Sequence, residues 1–306
     1  MRLVTRSDFD GLACAAILEE MGVVDEVFYT HPKDIQDGKI AITGNDVLAN
    51  VPFVPGCGLW FDHHSSEQER LDLEGKFKGA CEPAPSAARV VYDYYAKDPA
   101  NTEKLKKFTE LLTAVNKADS ADFSPDEVEN PKGWILLSLI ADPRTGLGYR
   151  HQFKISNFDL MKSLPALLRE KSADEILAMP DFAERVDAYF EENSKYLEFI
   201  KGNSRVAGNA IIIDMRGKKE IPAGNRFLEY GIFPDANISI RLADARDKTK
   251  TMISIGHSII NKTSTVDVGS LALKYGGGGH KKVGTCQVAA DQVDEIVDEI
   301  LSAINL

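Results

Sequence analysis

Leu59-Trp60-Phe61-Asp62-His63-His64 is an apolar run that stops abruptly at a carboxylate and two imidazoles. Three large apolar residues behind Gly58 read as a short buried strand. Such a strand sets Asp62, His63 and His64 at one edge of a sheet, and in an open α/β sheet the carboxyl edge is where ligands bind. Two imidazoles with carboxylates suit a borderline divalent ion such as Mn²⁺. The N-terminus repeats the pattern. Met1-Arg2-Leu3-Val4-Thr5 reads as a first strand rather than a signal peptide, and Asp8-Phe9-Asp10-Gly11 follows it.

Further out, strands alternate with helices. Gly11 to Met21 reads as a helix stopped by Gly22, and Glu26–Tyr29 and Lys39–Thr43 read as strands. The alternation predicts an α/β fold with a doubly wound, mostly parallel sheet. Helices follow at Pro85–Ala96, Thr102–Lys117, 131–141 and 159–201, the last broken at Pro165 and Pro180. Beyond Gly202 the pattern changes to strands at Ala210–Asp214, Ala236–Leu242 and Thr251–Ile255. A helix at Val268–Lys274, a strand at Thr285–Ala289 and a helix at Asp291–Ile304 complete the chain. The expected organisation is a catalytic domain over 1–150, a helical connector over 151–203 and a smaller α/β domain over 204–306.

Composition narrows the class. The chain has 306 residues, 43% hydrophobic and 27% charged, as expected of a soluble two-domain protein. No apolar run approaches the roughly 20 residues of a membrane helix. Cys14, Cys57, Cys81 and Cys286 form no C-x-x-C pair, which fits a reduced, cytoplasmic protein. A net charge of −11 argues against a surface that tracks long duplex nucleic acid. It permits a short anionic substrate, because metals and a few basic residues invert the field of a cleft. Ser65 and Ser66 follow His64 without a G-x-S-x-G elbow, and no phosphate-binding P-loop or G-x-G-x-x-G follows a strand.

The acidic residues collect at the ends of elements. Gly11 permits a turn that aims Asp8 and Asp10 at one point. Asp46 follows the expected strand Ile40–Thr43, and Asp119 closes the helix that holds Leu111–Lys117. Two ions at phosphoesterase spacing need several carboxylates, one of them bridging. Helix capping is the competing reading of Asp8 and Asp10, and a satisfied core pair is that of His63 and His64. Near the C-terminus, Tyr275-Gly276-Gly277-Gly278-Gly279-His280-Lys281-Lys282 lets backbone N–H groups converge on an anion, with His280 and two lysines adding charge. Gly278 is expected at a positive φ that a β-branched residue tolerates poorly. A flexible turn is the competing reading.

Together the three stretches resemble the DHH phosphoesterases with their C-terminal, GGGH-bearing domain. The resemblance implies that Asp8 and Asp10 are the first motif and that Asp46 is the second, usually the metal bridge. Asp62-His63-His64 is then the third motif: His63 a ligand, His64 on metal or phosphate, Asp62 orienting them. Asp119, in preference to Asp122, is the fourth. It implies catalysis around Asp62, His63 and His64, with metal at Asp8, Asp10, Asp46, His63 and Asp119. Substrate is expected at Arg6, His64, Arg241, Gly277, Gly278, Gly279 and His280. Arg241 matches a strand-end arginine that pairs with phosphate. Many members carry a histidine shortly before the Asp-x-Asp; here Val4 and Arg6 stand there, and Arg6 is free to hold a phosphate instead. Two Mn²⁺ ions are expected, with Mg²⁺ or Co²⁺ as substitutes. The implied activity is hydrolysis of short oligonucleotides or small nucleotide phosphodiesters by metal-activated water. Hydrolysis of polyphosphate or pyrophosphate is the alternative, and a non-catalytic nucleotide sensor a further one. No membrane partner is implied, and a homodimer fits.

Overall fold

The structure is a computed structural model that describes residues 1–64, 76–150, 152–245 and 249–305, with Arg150 described by its backbone alone. Ser65 and Ser66 lie outside the described residues. The chain divides into two compact units. The first comprises Met1–Asp122 and Pro131–Ala188, the second Phe123–Asn130 and Tyr189–Leu306. The division falls inside one long helix, Pro180–Asn203. Among the described residues no helix is long and apolar enough to cross a membrane.

The first unit is a five-stranded sheet of β1 (Arg2–Thr5), β2 (Glu26–Tyr29), β3 (Asp46–Ala49), β4 (Leu59–Asp62) and β5 (Gly79–Cys81). The order is β2-β1-β3-β4-β5, and every pair is parallel. After β1 the chain turns to one side for β2 and then crosses to the other for β3. The switch point, where a doubly wound sheet opens a crevice, therefore lies between the carboxyl ends of β1 and β3. Trp60 and Phe61, both wholly buried, anchor β4 from its two faces. Trp60 packs 5.2 Å from Phe53 and 4.9 Å from Phe77, and its Nε1 donates to the Val51 carbonyl. Phe61 packs 5.2 Å from Tyr94 on the helix Ala87–Ala96. His63 and His64, next along the chain, thereby leave from a firmly anchored strand end.

The helix Phe9–Glu20 begins almost on top of β1. A Cβ at Gly11 would collide with the Arg6 carbonyl oxygen, so only glycine allows this approach. Phe9 to Leu18 are all buried, without a polar face, because the helix lies beneath the helices Ala87–Ala96, Thr109–Ser120 and Asn157–Glu170. Three alanines and a cysteine keep it thin enough to be covered on every side.

Three local expectations fail. Thr102–Lys117 is two helices, Thr102–Lys106 and Thr109–Ser120. Lys39–Thr43 is irregular; the strand is Asp46–Ala49, whose four residues are all buried. Ile40 and Ile42 instead pack from outside against the cluster of Val4, Leu48 and Trp60. Pro165 does not break its helix, which runs unbroken from Asn157 to Glu170. A mid-helix proline strips the carbonyl four residues earlier of its donor. Here the Tyr29 hydroxyl supplies one, donating to the Met161 carbonyl at 3.2 Å.

The second unit is built on a six-stranded mixed sheet. Its strands are β6 (Ser204–Ala207), β7 (Ala210–Asp214), β8 (Ile238–Asp244), β9 (Lys250–His257), β10 (Gly278–His280) and β11 (Val283–Ala289). The order is β10-β11-β9-β8-β7-β6, with only β7 and β8 parallel. One face buries Ile212, Ile240, Leu242 and Ile253 beneath Val297 and Ile300 of the helix Val293–Ile304. The Gly-rich run is thus not wholly a loop, since Gly278–His280 forms the edge strand.

Candidate active site

β1 ends at Thr5, and Asp8 opens the next helix with an extended backbone. Its Oδ1 accepts from the Gly11 N–H at 3.0 Å, an ordinary N-cap. The same oxygen accepts from Asn50 Nδ2 at 3.1 Å, and Oδ2 pairs with Arg6 Nε at 3.0 Å. The capping reading of Asp8 therefore holds locally. Asp10 points the other way. Its oxygens accept from the backbone N–H groups of Ala87 and Ala88 at 2.9 and 2.8 Å, pinning the start of the helix Ala87–Ala96. Burial first, then the nearby charges of Asp119 and Asp8, push the Asp10 carboxyl well above the usual range, despite those two N–H donors. Such a carboxylate wants a cation.

His63 supplies the clearest sign of where a cation would be held. Its Nδ1 lies 3.0 Å from the Ala84 carbonyl, an acceptor, so Nδ1 carries the hydrogen and Nε2 the lone pair. Nε2 is buried and has no hydrogen-bond partner. It lies 3.3 Å from Asp119 Oδ2 and 4.0 Å from Asp10 Oδ2. Donors sharing one ion through bonds of about 2.0–2.2 Å stand roughly 3–4 Å apart. Asp10, His63 and Asp119 thus form a group able to hold a divalent ion, and Asp62, His63 and His64 form another. In the second group Asp62 and His64 are already bonded to each other, His64 Nδ1 to Asp62 Oδ1 at 2.8 Å. That bond, opposed by burial, raises the imidazole's pKa. Asp119 sits in the last turn of the helix Thr109–Ser120 and is itself pushed up, by burial first, then Asp8, against relief from His63. Asp122 lies beyond a left-handed Ala121 and outside both groups.

Asp46 is not part of this arrangement. It begins β3 instead of following a strand, and it pairs in register with Arg2, at the amino edge of the sheet. Arg2 Nε and the Thr43 N–H and hydroxyl occupy its two oxygens at 2.6–2.9 Å, and they hold its carboxyl below the usual range against burial. The error comes from placing the strand one segment early. The residue at the carboxyl end of β3 is Asn50, in a left-handed conformation (φ 56°) that asparagine accepts readily. Asn50 is 1% exposed, and its Oδ1 is buried without a partner. Sequence reading missed it, although the first residue past a strand was the signal. Arg144 was missed as well. It grips Asp142 through Nε at 2.8 and 3.0 Å. Burial opposes its charge, but Asp142 and then Asp8 and Asp119 hold it on.

In the second unit, Arg241 is committed elsewhere. Its Nε and Nη2 bind both oxygens of Glu229, and Nη2 also donates to the Arg226 carbonyl. Glu229 is 1% exposed, so this is a buried bidentate ion pair and not an open fork awaiting phosphate. In the Gly-rich run, positive φ occurs at Gly276 (74°) and Gly279 (152°) and not at Gly278. A Cβ at Gly277 would press on the Thr285 carbonyl and one at Gly279 on that of Val283, whereas one at Gly278 meets no atom within 4 Å. Gly277 and Gly279 are therefore needed for packing against β11. Gly278 has open space over it, and His280 beside it is exposed.

No protein-family model and no curated protein sequence matches the chain. Among solved structures it is similar to a pGpG-specific phosphodiesterase, PggH, from Vibrio cholerae. The two are 40% identical, with 99% of this chain and 98% of that one covered, at a TM-score of 0.86. It also shares its fold with an exopolyphosphatase-related protein from Bacteroides fragilis, at 13% identity and a TM-score of 0.54, over 98% of this chain and 91% of that one.

Proposed function

This chain belongs to the DHH phosphoesterase family and is a divalent-metal-dependent hydrolase; from that premise we propose that it cleaves a linear dinucleotide of the pGpG type at its internal phosphodiester. The observation that carries the chemistry is the buried, unpartnered Nε2 of His63 between Asp10 and Asp119. These three residues would hold the ion, and Mn²⁺ suits their mixed nitrogen and oxygen donors, with Mg²⁺ or Co²⁺ as substitutes. A bound ion supplies a Lewis acid and a water acidified toward neutrality. The chain's own residues do the rest. Ala84 fixes the His63 tautomer, and the Asp62 bond favours the charged form of His64. Arg6 and Arg144 add guanidinium charge near Asp8 and Asp119, the place for phosphoryl oxygens.

The substrate class rests on the likeness to PggH, supported by the −11 net charge, which penalises long polyanions. The test is a panel of pGpG, pApA, 10- and 20-nucleotide RNA, duplex DNA and polyphosphate under Mn²⁺. pGpG is expected to be cleaved to GMP. kcat/KM should fall tenfold or more by the 10-mer, and binding to duplex DNA should be negligible at physiological salt. Faster hydrolysis of polyphosphate or of the 20-mer would overturn the assignment.

For the second unit, the proposed substrate-binding group is Gly277, Gly278, Gly279 and His280. β10 is the edge strand of its sheet, so one side of its backbone has no strand partner. Gly277→Ala should lower the melting temperature, because its Cβ has no room. Gly278→Ala should leave melting unchanged while raising KM, because its methyl occupies only the open approach. Unaltered kinetics in Gly278→Ala would reduce the run to a sheet edge.

A further inference from the structure

We propose that this site keeps one resident divalent ion, and that the guanidinium of Arg6 takes the charge position a second ion would occupy. The inference rests on Asp10, His63 and Asp119 being the ligands of the first ion, and it concerns the groups beside them.

Both oxygens of Asp8 are already engaged, one of them by a cation. Oδ1 accepts from Gly11 N–H and Asn50 Nδ2, and Oδ2 holds Arg6 Nε. Its side chain is only 11% exposed, and an ion there would compete with the Arg6 guanidinium for the same carboxylate. A two-ion site also needs a carboxylate that touches both ions. The position for one is the end of β3, between the ends of β1 and β4. Asn50 stands there. Its Nδ2 donates to Asp8, and its unpartnered Oδ1 offers at most a neutral donor, without the charge a bridging carboxylate brings.

Charge counting gives the same answer. Asp10 and Asp119 carry two negative charges and the Nδ1-protonated His63 none, so one divalent ion neutralises the group. Asp8 and Arg6 already cancel. A second ion would bring two positive charges into a largely buried cluster whose other described carboxylates, Asp8 and Asp62, are already engaged by Arg6 and by His64, a costly burial in low dielectric. Arg6 does permanently what a second ion would do reversibly, since a guanidinium stays charged at any working pH.

The test is metal stoichiometry, independent of turnover. Metal-free protein is titrated with Mn²⁺ by calorimetry, and the loaded protein is examined by native mass spectrometry and electron paramagnetic resonance. The expected result is one Mn²⁺ per chain and a mononuclear spectrum. The double variant Arg6→Gln/Asn50→Asp, which restores two carboxylates and removes the guanidinium, should take up a second ion and show spin coupling. Two ions in the wild-type protein would overturn the inference while leaving the pGpG assignment intact. A double variant that stays at one ion would overturn the role given to Arg6 and Asn50. A wild-type protein that binds no Mn²⁺ would overturn both this inference and the reading of Asp10, His63 and Asp119.

Discussion

Chelated protein is expected to lose at least three orders of magnitude in turnover, and added Mn²⁺ to restore it. His63→Ala should match that loss without restoration at any Mn²⁺ concentration that leaves the fold intact. The reasoning is geometric. His63 Nε2 is the only nitrogen in the group with Asp10 and Asp119, and its partner Ala84 keeps the lone pair directed to that group. Removing it leaves two carboxylates that repel each other and hold the ion loosely. Loss of an electrostatic stabiliser of the developing oxyanion costs about 2.7–4 kcal/mol per donor, and the ion stands for more than one donor. Far-ultraviolet circular dichroism should be unchanged, because the imidazole fills no part of the core formed by Trp60 and Phe61. Full activity in protein freed of metal and kept in chelator would refute the metal reading outright.

Asp119→Asn should change activity and stability in opposite directions. Turnover should drop by roughly 10²–10³, as for loss of a preorganised charge at the reacting centre. In metal-free protein at pH 7 the melting temperature should instead rise by a few degrees. The cause is the strained apo cluster: Asp119 is pushed up by burial and by Asp8, and it sits at a helix C-terminus, where negative charge is unfavourable. The sign comes from linkage. A carboxyl whose folded pKa lies above its unfolded value favours folding when protonated, and that contribution disappears as pH rises through the folded pKa. The advantage of the asparagine variant should therefore be absent near pH 4 and grow toward neutrality. Saturating Mn²⁺ should reverse the ranking, since ligation stabilises the wild type by about 2.7 kcal/mol at a hundredfold excess over Kd. A metal-free wild type more stable than Asp119→Asn at pH 7 would mean that the cluster is not held against its own charge. Function retained at the expense of stability is the usual mark of an active site.

Much of this site was legible without coordinates. The apolar run into Asp62-His63-His64, the small residues of Phe9–Glu20 and Gly11 after Asp10 are local signals, and each dictates a local outcome. A buried strand end carries its next residues to the sheet edge. Only a glycine lets the helix start so close to β1. The Gly-rich run was placed correctly beside β11, but which glycine is free and which is packed depended on where Thr285 and Val283 lie.

The rest was decided between segments far apart in sequence. Asp46 and Asn50 are four positions apart, and either could be read as the residue after a strand. Parallel pairing with β1 puts Asp46 opposite Arg2 and sends Asn50 to the edge near Asp8. Asp10 meets its N–H donors 77 and 78 residues away, and Arg241 meets Glu229 across a turn and a helix rather than a phosphate. The preference for Asp119 over Asp122 comes from one left-handed residue, Ala121. By itself the sequence determined an α/β metallophosphoesterase and two of the elements, Phe9–Glu20 and Leu59–Asp62, that bring its proposed ligands Asp10 and His63 to the sheet edge, because hydrophobic periodicity and chain stiffness act over a few residues. Only the tertiary structure decided which charges meet, because register and strand direction select among acids that are locally equivalent, and an ion pair reports the partner that folding brings within about 3 Å.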